Sequence, residues 1–355
     1  MSTEGHPAEP PNESPLQDPA APAVVQQGAE PLLAVSGLHV EFRTREGVAR
    51  VLNGVRYHVD AGETLAVLGE SGSGKSVTAN TVMGILEMPP AAITAGEIRF
   101  RGEDLLTATA SRRREVRGEG IAMIFQDALS ALNPVFTVGF QIEEQLRQRR
   151  GMSRRDARKR AIELLDLVRI PNAKGRVRQF PHEFSGGMRQ RAMIAMSLAL
   201  DPEVLIADEP TTALDVTVQA QIMDLLAEIQ RERNMGMVLI THDLGVVAEV
   251  ADRIAVMYAG RIVEEADVHS IYRQPGHPYT RALMDSMPRL DQRGQELNTI
   301  KGLPPSLTAI PKGCPFHPRC PMAIDLCREK DPELLPIAEG RVSACHRSDE
   351  LMRDE

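Results

Sequence analysis

The residues from Gly69 to Ser76 have the types and the spacing of a phosphate-binding loop rather than of an ordinary glycine-rich turn. They read Gly-Glu-Ser-Gly-Ser-Gly-Lys-Ser and directly follow an apolar run at 64–68. Glycines in such a loop let successive backbone N–H groups point at phosphate oxygens, and the next helix adds its positive N-terminal end. Lys75 can then reach the β- and γ-phosphates, and the Ser76 hydroxyl can bind Mg²⁺. The predicted nucleotide contacts are Gly69, Glu70, Ser71, Gly72, Ser73, Gly74, Lys75, Ser76 and Val77.

Two adjacent carboxylates, Asp208 and Glu209, follow the apolar segment at 204–207. The carboxyl end of a buried parallel strand lies at the sheet edge where a phosphate loop also lies. Asp208 therefore fits the support of Mg²⁺, and Glu209 fits the base that orients and polarises an attacking water. The alternative is that both acids are ordinary helix caps.

A second possible anion site is formed by Ser185, Gly186 and Gly187, which open a predicted helix. Ser185 is a typical N-cap, and the two glycines leave backbone N–H groups exposed at the positive helix end. One nucleotide does not readily need two such sites within one chain. We therefore expect this site to face a nucleotide held by another subunit, with a plain capped helix as the alternative.

All four cysteines lie near the C-terminus, and they are Cys314, Cys320, Cys327 and Cys345. Four thiolates suit a [4Fe–4S] cluster or a structural Zn²⁺, although the usual C-x2-C zinc spacing does not occur. Unliganded thiols or disulfides are the remaining alternative, and disulfides are disfavoured in a reducing compartment. The nucleotide motifs precede residue 270 and the cysteines follow it, so we expect Cys320→Ser to change nucleotide affinity little. No redox partner motif is visible in the rest of the sequence, which favours a structural role for the cysteines.

The elements that must position these groups alternate between strands and helices. Strands are predicted at 32–42, 51–59, 65–68, 96–100, 121–125, 204–207, 237–240 and 254–258, and helices at 75–86, 141–170, 186–200, 216–234 and 244–251. This order predicts an α/β fold with a parallel sheet and an inserted helical piece. The proline-rich start predicts a disordered tail at 1–31, followed by a nucleotide-binding domain at 32–270 and a small Pro/Cys-rich domain at 271–355.

The composition is that of an ordinary globular protein. Charged residues make up 25% and apolar residues 42% of the 355 residues, and the net charge of −8 gives no reason to expect a nucleic acid partner. The basic groups at 112–117 and 147–160 predict solvated helix faces or contacts with a membrane surface or an acidic partner. The sequence has neither an apolar run long enough to cross a bilayer nor the pattern of a secretory signal, so we expect a cytoplasmic location.

The order of the motifs over residues 32–265 resembles that of the ATP-binding-cassette (ABC) ATPases. The set comprises the phosphate loop, Gln126, Ser185-Gly186-Gly187, Asp208-Glu209, Ala213-Leu214-Asp215 and Thr241-His242-Asp243. The resemblance implies that Gln126 senses Mg²⁺ and the γ-phosphate, that His242 contacts the γ-phosphate and the attacking water, and that Asp215 lies in a loop crossing a dimer interface. Two such domains would sandwich two ATP molecules head to tail. Met188 stands where the signature usually has Gln, and Phe42 is a candidate for stacking on adenine.

The C-terminal part extends the resemblance to the ATPase subunits of oligopeptide and dipeptide importers. The segments that carry it are 125–134, 276–283, 302–305 and 313–320. It implies a second homologous ATPase subunit, two transmembrane permease subunits that dock near Asn133 and Pro134, and an extracytoplasmic peptide-binding protein. The location would be the cytoplasmic face of the inner membrane, and no nucleic acid partner is implied. The resemblance also favours [4Fe–4S] over zinc for the four cysteines.

Three other functions compete with peptide import. A soluble ABC ATPase acting on DNA or the ribosome usually has two cassettes or a long coiled-coil insertion, and neither occurs in this sequence. An importer of nickel complexes or sugars would share the same ATPase motifs. A redox sensor that uses ATP as a ligand would not need Glu209.

Overall fold

The computed structural model describes residues 30–212, 214–286 and 300–353. Apart from its last two positions, the predicted tail at 1–31 lies outside these residues, as does Ala213. The strands are β1 (Leu33–Thr44), β2 (Gly47–Val59), β3 (Thr64–Leu68), β4 (Ala91–Phe100), β5 (Glu103–Asp104), β6 (Ile121–Ile124), β7 (Val204–Asp208), β8 (Gly236–Ile240), β9 (Arg253–Tyr258), β10 (Arg261–Asp267), β11 (Leu335–Ala338) and β12 (Arg341–Ser343).

The helices surround these strands, and none of those described is both long and apolar enough to cross a membrane. They are α1 (Lys75–Val82), α2 (Ala110–Glu119), α3 (Ala128–Ala131), α4 (Val138–Arg150), α5 (Arg154–Leu167), α6 (Ala173–Arg176), α7 (Gly186–Ser197), α8 (Val216–Arg233), α9 (Leu244–Val250), α10 (Val268–Arg273), α11 (Pro278–Asp285), α12 (Asp325–Glu329) and α13 (Ser348–Leu351).

Among the described residues, the main sheet has eight strands in the order β11-β12-β10-β9-β3-β8-β7-β6, and its five strands from β9 to β6 are parallel. Every residue of β3, β7 and β8 is buried. Such continuous apolar strands are typical of a parallel sheet that is covered on both faces. The predicted α/β fold is confirmed, and the sheet brings the carboxyl ends of β3, β7 and β8 to one edge.

A second, antiparallel sheet has the order β2-β1-β4-β5, and its strand β2 packs against β3, β8 and β10 of the main sheet. Buried residues of β1 and β2, including Leu38 and Leu52, share a core with Val67 of β3 and Ala79 of α1. Phe42, the candidate adenine-stacking residue, lies half-buried near the end of β1. This core therefore supports the strand and the helix on either side of the phosphate loop.

The predicted helix at 141–170 is wrong, because the structure divides this stretch into α4 and α5. Gly151 ends α4 in the left-handed conformation, with φ 64°, and donates its N–H to the Leu146 carbonyl. Ser153 then caps α5 by accepting a hydrogen bond from the Asp156 N–H. A glycine stop followed by a serine cap is a standard boundary signal, which outweighs the apolar spacing that continues across it.

The C-terminal part shares both sheet and core with the nucleotide-binding part. The β11–β12 hairpin extends the main sheet, with Glu264 of β10 opposite Ser343 of β12. One buried cluster contains Leu68 at the end of β3 together with Tyr279 and Phe316. Residues on both sides of the boundary predicted at 270 therefore stabilise each other by burying common apolar surface.

Candidate active site

The phosphate-binding loop joins β3 to α1, and three of its glycines have positive φ angles: Gly69 (153°), Gly72 (79°) and Gly74 (109°). A Cβ atom on Gly69 would lie 2.2 Å from the carbonyl oxygen of Met257, so this position has room for glycine and for no larger residue. α1 begins at Lys75, and Gly74 offers no side chain to cap its first turn. The N–H groups of that turn are therefore available to an anion.

Lys75 is 6% exposed and lies against its own loop. Its ammonium group donates hydrogen bonds to the carbonyl oxygens of Gly69 (2.7 Å) and Glu70 (3.0 Å). Burial lowers the pKa of Lys75, while the carboxylates of Glu209 and Asp208 act in the opposite direction. A phosphate oxygen is a stronger acceptor for this cation than a carbonyl, because it carries charge.

Two of the three predicted magnesium ligands form a direct contact: the Ser76 hydroxyl donates a hydrogen bond of 3.1 Å to Asp208 Oδ1. Asp208 is the buried last residue of β7, and burial raises its pKa, whereas the Ser76 hydrogen bond lowers it. A hydroxyl and a carboxylate are oxygen ligands of the kind that Mg²⁺ prefers, so this pair fits the ion. Gln126, the third predicted ligand, contacts Glu209 instead.

The three predicted catalytic residues meet at the Glu209 carboxylate. Gln126 Nε2 donates to Glu209 Oε2 over 2.8 Å, and His242 Nδ1 lies 3.4 Å from Oε1. Thr212, which the sequence analysis missed, also donates to Oε2 over 2.9 Å. Glu209 has a φ of 45°, a left-handed conformation that costs a non-glycine residue roughly 1–3 kcal/mol, and its N–H donates to the Ile240 carbonyl. Side chains from the segments after β6, β7 and β8 therefore converge on this one carboxylate.

Ser185 and Asp215 each cap a helix, and the two helix starts pack together. Ser185 accepts a hydrogen bond from the Met188 N–H at the start of α7, and Asp215 accepts one from the Val218 N–H at the start of α8. A Cβ atom on Gly187 would lie 2.8 Å from Val218 Cγ1, so glycine permits this close approach. Ser185 and the glycine after it remain exposed, which leaves the first turn of α7 open to an anion.

Comparison with known proteins decides the family. A family model described as ABC transporter matches residues 52–212, and one described as Oligopeptide/dipeptide transporter, C-terminal region, matches residues 263–327. The dipeptide transport ATP-binding protein DppD of Bacillus subtilis (strain 168) is 51% identical over 84% of this chain and 89% of its own. The chain belongs to the ABC transporter family.

Other ABC proteins agree with this assignment. The oligopeptide transport ATP-binding protein OppD of Salmonella typhimurium (strain LT2) is 48% identical over 90% of this chain and 95% of its own. The dimeric post-hydrolysis structure of the ATP-binding cassette MJ0796, bound to ADP and Pi, has a TM-score of 0.60 and 28% identity and covers 66% of this chain. The recognition of an ABC ATPase in the sequence is confirmed, and ATP is the nucleotide that this family hydrolyses.

The C-terminal part of this ABC protein holds the phosphate-binding loop directly. The Arg319 guanidinium forms two hydrogen bonds to the Glu70 carboxylate, of 2.6 and 2.9 Å. The hydroxyl of Tyr279 accepts a hydrogen bond of 2.9 Å from the Glu70 N–H. Neither residue was predicted from the sequence to contact the loop. The contacts join the C-terminal part to a region that the motif positions alone place apart from it.

The four cysteines line one pocket, whose empty space is about 320 Å³ including the part open to solvent, together with His277 and Phe316. All four are free thiols. Burial raises the pKa of Cys314 to about 11 and that of Cys345 to about 12, so both are protonated at neutral pH unless a metal binds them. The part of the chain that the structure describes has no group of three or more His, Cys, Asp or Glu side chains arranged to hold a metal ion.

Proposed function

We propose that this ABC ATPase is the ATP-hydrolysing subunit of a transporter that imports dipeptides or oligopeptides. The observation that carries the proposal is the length of the similarity to peptide transport subunits. It reaches 84% of this chain with DppD and 90% with OppD, and it thus extends into the C-terminal part, whereas the cassette MJ0796 covers 66%. A soluble ABC ATPase acting on DNA or the ribosome would not be expected to carry a peptide-transporter C-terminal region.

The site residues would perform the reaction as follows. Lys75 and the N–H groups of the first turn of α1 bind the phosphates, and Ser76 and Asp208 hold Mg²⁺, which neutralises phosphate charge when bound. Glu209 orients and polarises the attacking water. His242 and Gln126 both contact the Glu209 carboxylate. Each would also contact the γ-phosphate, so that the carboxylate and the phosphate are held on either side of the attacking water.

The partners would be a second homologous ATPase subunit, two transmembrane permease subunits and an extracytoplasmic peptide-binding protein. The exposed start of α7 supports the ATPase partner, because Ser185 offers an anion site that the chain's own phosphate loop does not need. The permeases would dock at the cytoplasmic face of the membrane beside Asn133. The stacked rings of Phe136 and Phe140, 4.8 Å apart and partly exposed, offer an apolar surface there.

Purification of the assembled complex tests the cargo and the partners together. We expect the tagged protein to be recovered with two permeases and a companion ATPase, and the associated binding protein to contain peptides by mass spectrometry. Nickel complexes or sugars in that binding protein would overturn the peptide assignment. Recovery with ribosomes or DNA instead of permeases would overturn import itself.

The isolated protein should hydrolyse ATP slowly, and its turnover should rise steeply when the companion ATPase and the permeases are added. The reason is that a complete site needs the start of α7 from one subunit and the phosphate loop from the other. Ser185→Arg should remove most of this gain while leaving ATP binding to the chain's own loop intact. Ser153→Arg, the same change at the exposed cap of α5, is the matched control and should keep the gain. Full turnover by the isolated chain, independent of its concentration, would contradict the prediction.

We also propose that the four cysteines hold a [4Fe–4S] cluster, with Zn²⁺ as the alternative. The support is that all four line one pocket as free thiols, and four thiolates are the donors that such a cluster requires. The described side chains are not arranged as a metal site, so cluster binding would have to draw the four sulfurs together. Protein purified without oxygen should be brown and contain about four iron and four sulfide per chain. Zinc in elemental analysis, with no iron, would overturn the cluster.

A further inference from the structure

Glu70, the second residue of the phosphate-binding loop, is held through all three of its polar groups. Its carboxylate accepts two hydrogen bonds from Arg319, and its N–H donates to the hydroxyl of Tyr279. Its carbonyl oxygen accepts a hydrogen bond from Lys75. Lys75, the predicted phosphate ligand, and two residues of the C-terminal part therefore contact the same residue of the loop.

The Arg319–Glu70 ion pair is largely buried and doubly hydrogen-bonded, so we expect it to be rigid. The Arg319 side chain is 5% exposed and that of Glu70 is 26% exposed. A bidentate arginine–carboxylate contact fixes the relative orientation of the two side chains as well as their distance. When a largely buried pair loses one partner, the other charge is left without compensation, which disfavours its position. Loss of Arg319 would thus favour a different position of the Glu70 side chain and of the loop that carries it.

Arg319 is itself fixed by the turn between Cys314 and Cys320. Its backbone N–H donates to the Phe316 carbonyl, and its guanidinium lies 6.0 Å from the Phe316 ring centre and 5.9 Å from that of Tyr258. Two carbonyls of the neighbouring segment, at Ile300 and Lys301, accept hydrogen bonds from it. Cys314 and Cys320 stand at the two ends of this turn and line the same pocket.

We propose that Arg319 is a positioning residue for the phosphate-binding loop, and that ATP affinity therefore depends on the order of the turn between Cys314 and Cys320. Any change at the cysteine pocket that disorders this turn withdraws Arg319 from Glu70. The phosphate loop then loses the contact that fixes its second residue. The proposal rests on ATP binding by the ABC fold and does not require the peptide cargo or the iron–sulfur cluster.

A first experiment measures the dissociation constant of the full chain for a fluorescent ATP analogue with Mg²⁺. Arg319→Gln should raise this constant by roughly 5- to 150-fold, the usual range of coupling between two sites. Arg328→Gln is the matched control, since Arg328 is an exposed arginine of the same region that pairs with Asp325. It should bind the analogue like the wild type. Equal affinities of the Arg319 and Arg328 variants would overturn the proposal.

A second experiment tests whether the cysteine turn acts through Arg319. Cys320→Ser should weaken binding of the analogue in the wild-type background and cause little further loss in Arg319→Gln, because residues that act through one contact give non-additive effects. The dependence on the turn would be overturned if the fold-losses in affinity of the two single variants multiplied in the double variant. It would also be overturned if Cys320→Ser alone bound the analogue like the wild type.

A third variant covers the case in which Arg319→Gln does not fold, as judged by circular dichroism. Tyr279→Phe keeps the aromatic packing and removes the oxygen that accepts the Glu70 N–H. It should also weaken binding of the analogue, and its wild-type affinity in a folded protein would contradict positioning of the loop by the C-terminal part.

Discussion

Glu209→Gln should leave ATP binding intact and lower the turnover of the assembled transporter by about 100-fold or more, because a positioned base typically contributes 10²–10⁴-fold. The amide keeps the size of the side chain and can still accept from Thr212 or Gln126 through its remaining carbonyl oxygen. It cannot take up a proton from water. The two effects separate binding from chemistry at the same residue.

The measurement for Glu209 is steady-state phosphate release, with analogue binding determined in parallel. Glu203→Gln is a matched control, because Glu203 lies just before β7, at the opposite end of the same strand, and pairs with Arg101 on the surface. It should hydrolyse ATP at the wild-type rate. A Glu209→Gln complex with wild-type turnover would show that another group acts as the base.

Lys75→Ala should weaken ATP binding itself, on the order of 10- to 100-fold, since a hydrogen bond to a charged group contributes about 1.5–3 kcal/mol. The lost ammonium group is the buried cation of the loop, and its removal also frees the carbonyls of Gly69 and Glu70 that it now contacts. Turnover at saturating ATP then falls as well, because the γ-phosphate loses a countercharge.

Lys159→Ala provides the comparison for Lys75, because Lys159 is an exposed lysine of α5 that pairs with Glu163 on the surface. The dissociation constant for the fluorescent analogue should match that of the wild type in this control. Wild-type affinity in Lys75→Ala would mean that the loop binds phosphate through its backbone alone.

The sequence predicted the parts of the site that depend on local spacing. The loop from Gly69 to Ser76 runs from the end of β3 into α1, and Asp208 and Glu209 stand at the end of β7, so the geometry of each follows from a few consecutive residues. Gln126 and His242 required the resemblance to ABC ATPases, since no local pattern says that two residues so far apart in sequence contact the same carboxylate.

Long-range pairing explains what the sequence did not predict. Arg319 contacts Glu70 across 249 residues and Tyr279 contacts it across 209, and neither residue has a local signal for that partner. β10 was also missed. The short strands β11 and β12 were missed because strands of three or four residues gain their stability from the sheet that they join. The break at Gly151 was a local signal, and it was available in the sequence.

The β11–β12 hairpin has a consequence for how the protein is synthesised. β10 pairs with β9 on one side and with β12 on the other. The strand that carries Glu264 therefore has a neighbour on only one side until Ser343 has been synthesised. A ribosome makes about 5–20 residues per second, which leaves β10 as an open strand edge for several seconds. Unpaired strand edges recruit strands from other chains. The nascent protein therefore passes through a stage at which it can aggregate, and this stage ends once β12 is free to pair with β10.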